Sequence, residues 1–221
     1  MKTALIIGES GGIGGALAGE LRAQGVSVTG LSRSRDGLDV TDEESVVTAL
    51  GALDGPFDLI VVATGALEVA GQAPEKSIKA LSPAAMMDQF AVNTIGPAMI
   101  LKHGATLLPR DQRAVFAVLS ARVGSIGDNR LGGWYSYRAA KAAVNQVVHT
   151  AAIEVARTHP HSICVALHPG TVATDFTAKY LGRNPAVAPD TAAKNLIGVL
   201  GGLNPADTGG FFDWAGKPVP W

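Results

Sequence analysis

The chain has 221 residues, of which 47% are hydrophobic and 17% are charged, and its formal net charge is −1. This composition excludes a disordered chain, because it supplies enough apolar surface for a core, and the balanced charge argues against a nucleic-acid partner. The length predicts one domain over residues 1–221, while the one cysteine excludes an internal disulfide and indicates a reducing, cytoplasmic location.

Hydrophobic periodicity predicts strands that alternate with helices along the chain. The predicted strands are 3–7, 26–31, 58–62, 114–119, 162–167 and 210–213, and the predicted helices are 12–24, 42–50, 82–108, 134–157 and 190–200. The strands are apolar on both faces, as in a parallel sheet that helices cover on each side. We therefore expect an α/β fold of the Rossmann type, a doubly wound parallel sheet that binds ligands beyond the carboxyl ends of its strands. No apolar stretch is long enough to cross a bilayer, so we expect no membrane contact.

A glycine-rich turn separates the first strand from the first helix. Residues 8–14 read GESGGIG, with Gly8, Gly12 and Gly14 among the glycines. Glycines let the backbone approach a ligand closely, and free N–H groups at the helix start, such as that of Ile13, favour a pyrophosphate. The alternative is a tight turn that binds nothing.

The same turn also matches the G-x-S-x-G pattern of a hydrolase, in which Ser10 would be the nucleophile. Such a serine normally follows earlier strands and an oxyanion loop, whereas seven residues precede Gly8. We therefore expect Ser10 to belong to the cofactor turn and keep hydrolysis as an alternative.

The turn after the second strand predicts the choice of cofactor, because a dinucleotide fold contacts the adenosine ribose there. Ser32 and Arg33 occupy this turn, and no acidic residue stands directly at it. A guanidinium matches a phosphate and a serine hydroxyl can donate to one, so the turn favours NADP(H) over NAD(H). The alternative is an arginine that is simply exposed to water. Residues Asp39, Val40, Ala63, Thr64 and Gly65 also follow strands and are expected beside the adenine and the ribose.

Two residues on the predicted helix 134–157 suit proton transfer. Tyr137 and Lys141 are four residues apart and therefore lie on one helix face. Reduction of a carbonyl by hydride needs a proton for the oxygen, and a phenol near a cation becomes a stronger acid. The alternative is an interfacial tyrosine beside a lysine whose charge reaches solvent.

Asn93 and Pro97 interrupt the long predicted helix 82–108. Proline cannot donate a hydrogen bond to the Asn93 carbonyl, so this carbonyl is free to bind a water on a proton path from Lys141. A simple helix kink is the alternative.

The turn after the fifth strand begins with Pro169 and Gly170 and continues through Val172 to Thr174, whose hydroxyl can hold a polar ligand group. The five histidines have no metal-ligand spacing, so we expect no metal site.

Together these motifs resemble the short-chain dehydrogenase/reductase family. Gly8-x-x-x-Gly12-x-Gly14, Ala63-Thr64-Gly65, Asn93, Tyr137-x-x-x-Lys141 and Pro169-Gly170 occur in the family's order, and residues 119–129 are similar to its C-factor and sniffer-like carbonyl reductase branch. The resemblance implies a cofactor half over about 1–110 and a catalytic half over about 111–221. It implies NADPH-dependent reduction of a small carbonyl compound, or the reverse oxidation of an alcohol, by a homodimer or homotetramer.

The resemblance also assigns roles to residues. Tyr137 would donate the proton, Lys141 would hold the nicotinamide ribose and acidify Tyr137, and Asn93 would anchor the relay water. The usual carbonyl-orienting serine of the family corresponds here to Ala121, so Ser120 or Ser125 must replace it, and we prefer Ser125 because Ser120 is expected to point the other way along the strand.

Two questions stay open at this point. The departure at Ala121 and the C-factor resemblance leave a nucleotide-binding signalling protein with little turnover as an alternative to an active reductase. The loops 66–80 and 175–188 are expected to form the substrate pocket, but they contain no motif that identifies the substrate.

Overall fold

A computed structural model describes residues 1–181 and 186–221. Six strands form one sheet in the order β2-β1-β3-β4-β5-β6, and every neighbouring pair is parallel. This confirms the predicted α/β, Rossmann-type doubly wound sheet. The strands are β1 (Thr3–Ile7), β2 (Ser27–Leu31), β3 (Leu59–Val62), β4 (Ala114–Leu119), β5 (Ser162–His168) and β6 (Phe211–Asp213).

Helices follow the strands at the predicted places. They are α1 (Gly12–Ala23), α2 (Arg33–Asp36), α3 (Glu43–Gly51), α4 (Pro83–Phe90), α5 (Gly96–Gly104), α6 (Tyr135–Val155) and α7 (Pro189–Gly202). Sequence patterning missed α2, because four residues are too few to show a helical period.

The side chains of each strand alternate between two cores. Leu5 and Ile7 pack with α3, α5 and α6 on one face of the sheet, whereas Ala4 and Ile6 pack with α1 and α7 on the other. Because both faces are covered, the central strands β1, β3 and β4 are almost entirely apolar and buried, as the sequence predicted, whereas the edge strand β2 contains polar residues and is partly exposed.

The long predicted helix is broken where the sequence places Asn93 and Pro97. The Ser82 hydroxyl accepts the Ala85 N–H at 3.1 Å and caps α4, and a π turn over Ala91–Ile95 then separates α4 from α5. The Thr94 hydroxyl donates to the Ala140 carbonyl at 2.8 Å, so the break is fastened to α6.

The chain reverses its direction of progress across the sheet at β1, which lies between β2 and β3. The loops that follow these strands diverge there and leave a crevice at the carboxyl edge of the sheet. Within the described ranges, no helix is long and apolar enough to cross a membrane.

Candidate active site

A cleft of about 870 Å³ opens at the carboxyl edge of the sheet. Loops that follow β1, β3, β4 and β5 line it together with the start of α6. The residues predicted from the sequence that line this cleft are Ser10, Gly12, Ile13, Ala63, Thr64, Gly65, Tyr137, Lys141, Pro169, Gly170, Val172 and Thr174.

The glycine turn has the geometry of an anion cradle. Gly8 is left-handed, with φ 92°, and a Cβ on Gly14 would overlap the Gly8 carbonyl, so both positions require glycine. The N-cap residue of α1 is Gly11, which has no side chain to bond the N–H groups of the first turn. Residues 10–13 line the cleft. The unpaired N–H groups and the positive end of α1 suit a pyrophosphate.

The loop after β5 lies directly over this turn. A Cβ on Gly12 would lie 2.5 Å from Thr174 Cγ2, so a larger residue at Gly12 would push the loop away. Val172 is buried and pairs with Val187 in a short parallel bridge. The close approach of Thr174 to Gly12 brings the segment 169–174 and the glycine turn to the same part of the cleft.

The turn after β2 differs from the sequence prediction. The Asp36 carboxylate accepts the Ser32 N–H at 2.7 Å and the Ser32 hydroxyl at 3.2 Å. An acidic group therefore lies at the turn where the sequence analysis expected none, and the Ser32 hydroxyl already has an acceptor. Arg33 is exposed at the start of α2, and hydrogen bonds from Thr41 and the charge of Arg33 hold the pKa of Asp39 below its ordinary value.

Asn93, Gly65 and Lys141 come together beneath the cleft. Asn93 is fully buried, and its side chain accepts the Ala66 N–H at 3.0 Å and donates to the Ala66 carbonyl at 2.8 Å and to Gln89 Oε1 at 2.7 Å. A Cβ on Gly65 would lie 3.0 Å from Asn93 Oδ1 and 3.4 Å from Lys141 Nζ. The glycine is therefore needed because two site residues converge on it.

Tyr137 and Lys141 lie on one face of α6 and are 5% and 3% exposed. Lys141 Nζ donates to the Leu119 carbonyl at 3.0 Å and lies 5.8 Å from the centre of the Tyr137 ring. Burial lowers the pKa of Lys141 to about 8 and raises the pKa of Tyr137 well above its ordinary value. Burial therefore opposes the expected acidification of Tyr137 by Lys141 and keeps the phenol protonated.

The two serines near Ala121 have different surroundings. The Ser125 hydroxyl donates to the Pro220 carbonyl and accepts the Asp128 N–H at 3.1 Å, and Ser125 is not among the described residues that line the cleft. Ser120 lines the cleft, and its hydroxyl is buried and has no hydrogen-bond partner in the described chain. The Ser120 N–H continues the ladder to the Leu167 carbonyl at 2.8 Å, but the position of Ser120 in the cleft lining and the bonded hydroxyl of Ser125 favour Ser120 over the predicted Ser125.

The side of the cleft that is predicted to hold the substrate is lined by several aromatic rings. The Trp134 ring lies 6.2 Å from the Tyr137 ring and 5.6 Å from the Tyr180 ring, and the Phe176 ring lies 6.4 Å from Tyr137. No sequence motif indicated this cluster, because its members come from two segments that are distant along the chain.

The two loops predicted to form the substrate pocket do line the cleft, through Leu67 on one side and Asp175 to Thr177 and Tyr180 on the other. They are linked across it, because Glu68 accepts the Tyr180 hydroxyl at 2.6 Å and Lys179 Nζ at 2.9 Å. Residues 182–185 of the second predicted loop lie outside the described residues.

The hydrolase alternative finds no support in the geometry. Histidine hydrogen bonds in the described chain go to Glu43, Gly209 and Thr158, and none goes to Ser10. Burial lowers the pKa of His168, at the edge of the cleft, to about 4, so this histidine is neutral. No group of three metal-ligating side chains occurs among the residues described.

Similarity to known proteins extends these observations. Residues 2–184 match the family model for short chain dehydrogenases. The chain is 30% identical over 233 residues to 1-hydroxy-2-glutathionyl-2-methyl-3-butene dehydrogenase of Rhodococcus sp. (strain AD45), with 100% of each chain covered. It is 33% identical over 140 residues to the C-signal of Myxococcus xanthus, covering 62% of this chain and 78% of that one. A Burkholderia multivorans protein of the short-chain dehydrogenase/reductase type, solved with bound NADP, superposes with a TM-score of 0.81 at 25% identity and covers 100% and 99% of the two chains.

The family match and the named dehydrogenase relative define the protein as an oxidoreductase. The chain belongs to the short-chain dehydrogenase/reductase family. Its similarity to the C-signal agrees with the C-factor branch expected from residues 119–129.

Proposed function

We propose that the protein catalyses the NADPH-dependent reduction of a carbonyl compound to an alcohol. The observation that carries this proposal is that Tyr137, Lys141 and Ser120 line the same cleft as the glycine turn, and that the Ser120 hydroxyl is unpartnered within the described chain. A nicotinamide cofactor held along that turn supplies the hydride.

The chain's own residues handle the oxygen of the substrate. The Ser120 hydroxyl donates to the carbonyl oxygen and orients it, and the Tyr137 phenol donates the proton to this oxygen as it becomes an alkoxide. Lys141, fixed by the Leu119 carbonyl, places a positive charge behind Tyr137 and would hold the nicotinamide ribose of a bound cofactor. Pro97 has no N–H to donate to the Asn93 carbonyl, so this carbonyl can bind a water that returns a proton from solvent.

The preference for NADP(H) over NAD(H) is part of the proposal. It is supported by Arg33 at the end of β2 and by the bound NADP of the Burkholderia multivorans protein. The Asp36 carboxylate at the same turn works against a 2′-phosphate, so we expect the preference to be modest and to depend on Arg33.

A second candidate is a signalling role through nucleotide binding with little turnover. It is favoured by the similarity to the C-signal and by Ala121, which leaves the family's usual hydroxyl position empty. This candidate predicts cofactor affinity without measurable reduction of carbonyl compounds.

Calorimetric titration with NADPH and NADH, followed by a carbonyl panel, separates these possibilities. We expect NADPH to bind at least about tenfold tighter, or about 1.4 kcal/mol, and Tyr137→Phe to abolish reduction while leaving cofactor affinity unchanged. The panel should include alcohols run in reverse, among them a glutathione conjugate, because one relative is named for such a substrate. Binding without turnover would support the signalling candidate, and no binding of either nucleotide would refute both.

The same proposal includes a homodimer or homotetramer in the cytoplasm. Exposed apolar side chains on α4, on the π turn that follows it and on α6 support the oligomer, since Met87, Ile95 and Ile153 are 66%, 49% and 55% exposed. Light scattering during size-exclusion chromatography tests it, and a monomeric mass would contradict it.

A further inference from the structure

Helix α6, which carries Tyr137 and Lys141, begins without a cap of its own. Its N-cap residue, Trp134, is left-handed with φ 54°, and among the described residues α6 receives neither a side-chain hydrogen bond from this N-cap nor an acidic group in its first turn. A buried N–H without a partner costs about 1–3 kcal/mol, so the first turn needs partners from elsewhere in the fold.

Glu75, in the loop 66–80, provides these partners. Its backbone carbonyl accepts the Trp134 N–H at 2.5 Å, one carboxylate oxygen accepts the Ser136 N–H at 3.1 Å, and the other accepts the Ser136 hydroxyl. Glu75 and Ser136 are 7% and 1% exposed, so these bonds are protected from water. The loop therefore caps a helix that begins 60 residues further along the chain.

The charge on Glu75 suits this position. Burial opposes ionisation, but the hydrogen bonds from Ser136 outweigh it and hold the pKa of Glu75 below its ordinary value. A carboxylate is also stabilised at the positive end of a helix. Glu75 is therefore ionised at neutral pH and acts as a charged cap.

The bonds from Glu75 also fix the backbone at Trp134. A left-handed conformation costs a bulky residue about 1–3 kcal/mol and persists only when its surroundings enforce it. Arg138 also holds the backbone before Trp134, because its guanidinium donates to the carbonyls of Gly133 at 2.9 Å and Gly132 at 3.1 Å. The result places the Trp134 ring beside the Tyr137 ring, on the substrate side of the cleft.

We propose that Glu75 is a positioning residue that caps α6 from the substrate loop and thereby holds Tyr137 and Trp134 in place in the cleft. Glu75 is not among the described residues that line the cleft, so it acts through Ser136 and Trp134. The kinetic part of the test rests on the proposed reductase function, whereas the structural part does not.

The structural test follows Tyr137 directly. The chain has three tyrosines, so labelling with 3-fluorotyrosine gives three fluorine NMR signals that single Tyr→Phe variants can assign. We expect Glu75→Ala to shift or broaden the Tyr137 signal and Glu75→Gln to restore it, because an amide oxygen can still accept the Ser136 N–H. The matched control is Asp42→Ala, which removes the carboxylate cap of α3, where Asp42 accepts the Glu44 N–H at 3.1 Å. An unchanged Tyr137 signal in Glu75→Ala would overturn the proposal.

The kinetic test uses the same variants. We expect Glu75→Ala to lower kcat between about tenfold and a hundredfold while NADPH affinity stays within about twofold, and Asp42→Ala to leave kcat unchanged. If the wild type is active and Glu75→Ala has the same kcat, the positioning role is also overturned. If the wild type reduces no carbonyl compound, the proposed function is refuted. The fluorine NMR signal of Tyr137 in Glu75→Ala then tests the positioning role by itself. If Glu75→Ala does not fold, Ser136→Ala removes one of the three bonds and should produce a smaller change in the same direction.

Discussion

Replacing Ser120 by alanine should make the protein more stable and the enzyme slower. Ser120 is 4% exposed, and its hydroxyl has no partner within residues 1–181 and 186–221. A hydroxyl buried without a hydrogen bond costs roughly 1–3 kcal/mol, so its removal should return about 1 kcal/mol after the small void is counted. For a chain of this length, that gain raises Tm by roughly 2–4 °C.

The same substitution removes the proposed donor to the carbonyl oxygen. The loss of one such donor costs about 10²–10³ in kcat, or about 2.7–4 kcal/mol of transition-state stabilisation. Calorimetric unfolding and steady-state kinetics on one preparation measure both effects. Stability and activity should change in opposite directions, which a general packing defect would not produce.

Ser125→Ala is the matched control. It removes the bonds with Pro220 and Asp128, so the free energy of unfolding should fall by about 1–2 kcal/mol while kcat stays within about twofold. The opposite pattern, with kcat lost in Ser125→Ala and kept in Ser120→Ala, would refute the assignment of Ser120.

A pH profile tests the charge on Lys141, and further variants test the cofactor end of the cleft. Because burial lowers the pKa of Lys141 to about 8, kcat should fall as the pH rises through this value. The free energy of unfolding should rise between about pH 8 and 10.5, because the unfolded chain binds more protons there than the folded protein. If neither kcat nor stability changes in this way, Lys141 does not titrate as a buried amine. Gly14→Ala would press a Cβ against the Gly8 carbonyl, so it should lower the free energy of unfolding by about 1–3 kcal/mol and abolish cofactor binding in a calorimetric titration. The control is Gly19→Ala, whose new Cβ has nothing within 4 Å and should change neither property. Arg33→Ala should weaken NADPH binding about tenfold and leave NADH binding unchanged, and equal weakening of both would show that Arg33 does not contact a 2′-phosphate.

The sequence determined the features that depend on local pattern. Strands apolar on both faces, helical spacing between them and the break at Pro97 predicted the fold class and the order of the elements. The glycine turn at 8–14 and the Tyr137–Lys141 pair were also visible, because each is a short stretch whose geometry follows from a strand-to-helix turn or from one helix face. In a parallel sheet these segments meet at the carboxyl edge, so their motifs predicted a common site.

Tertiary structure alone decided which groups in that site are free and which are already bonded. Strand alternation favoured Ser125 over Ser120, but the Ser125 hydroxyl donates to the carbonyl of Pro220, which is distant in sequence. Asp36 turns back onto Ser32 because α2 forms, and no periodicity in four residues could indicate this. Glu75 caps α6 across a long chain separation, so neither segment contains a signal for the other. Motifs specify which side chains reach the site, whereas their hydrogen-bond partners depend on how distant segments pack, and packing is not encoded in any short stretch of the chain.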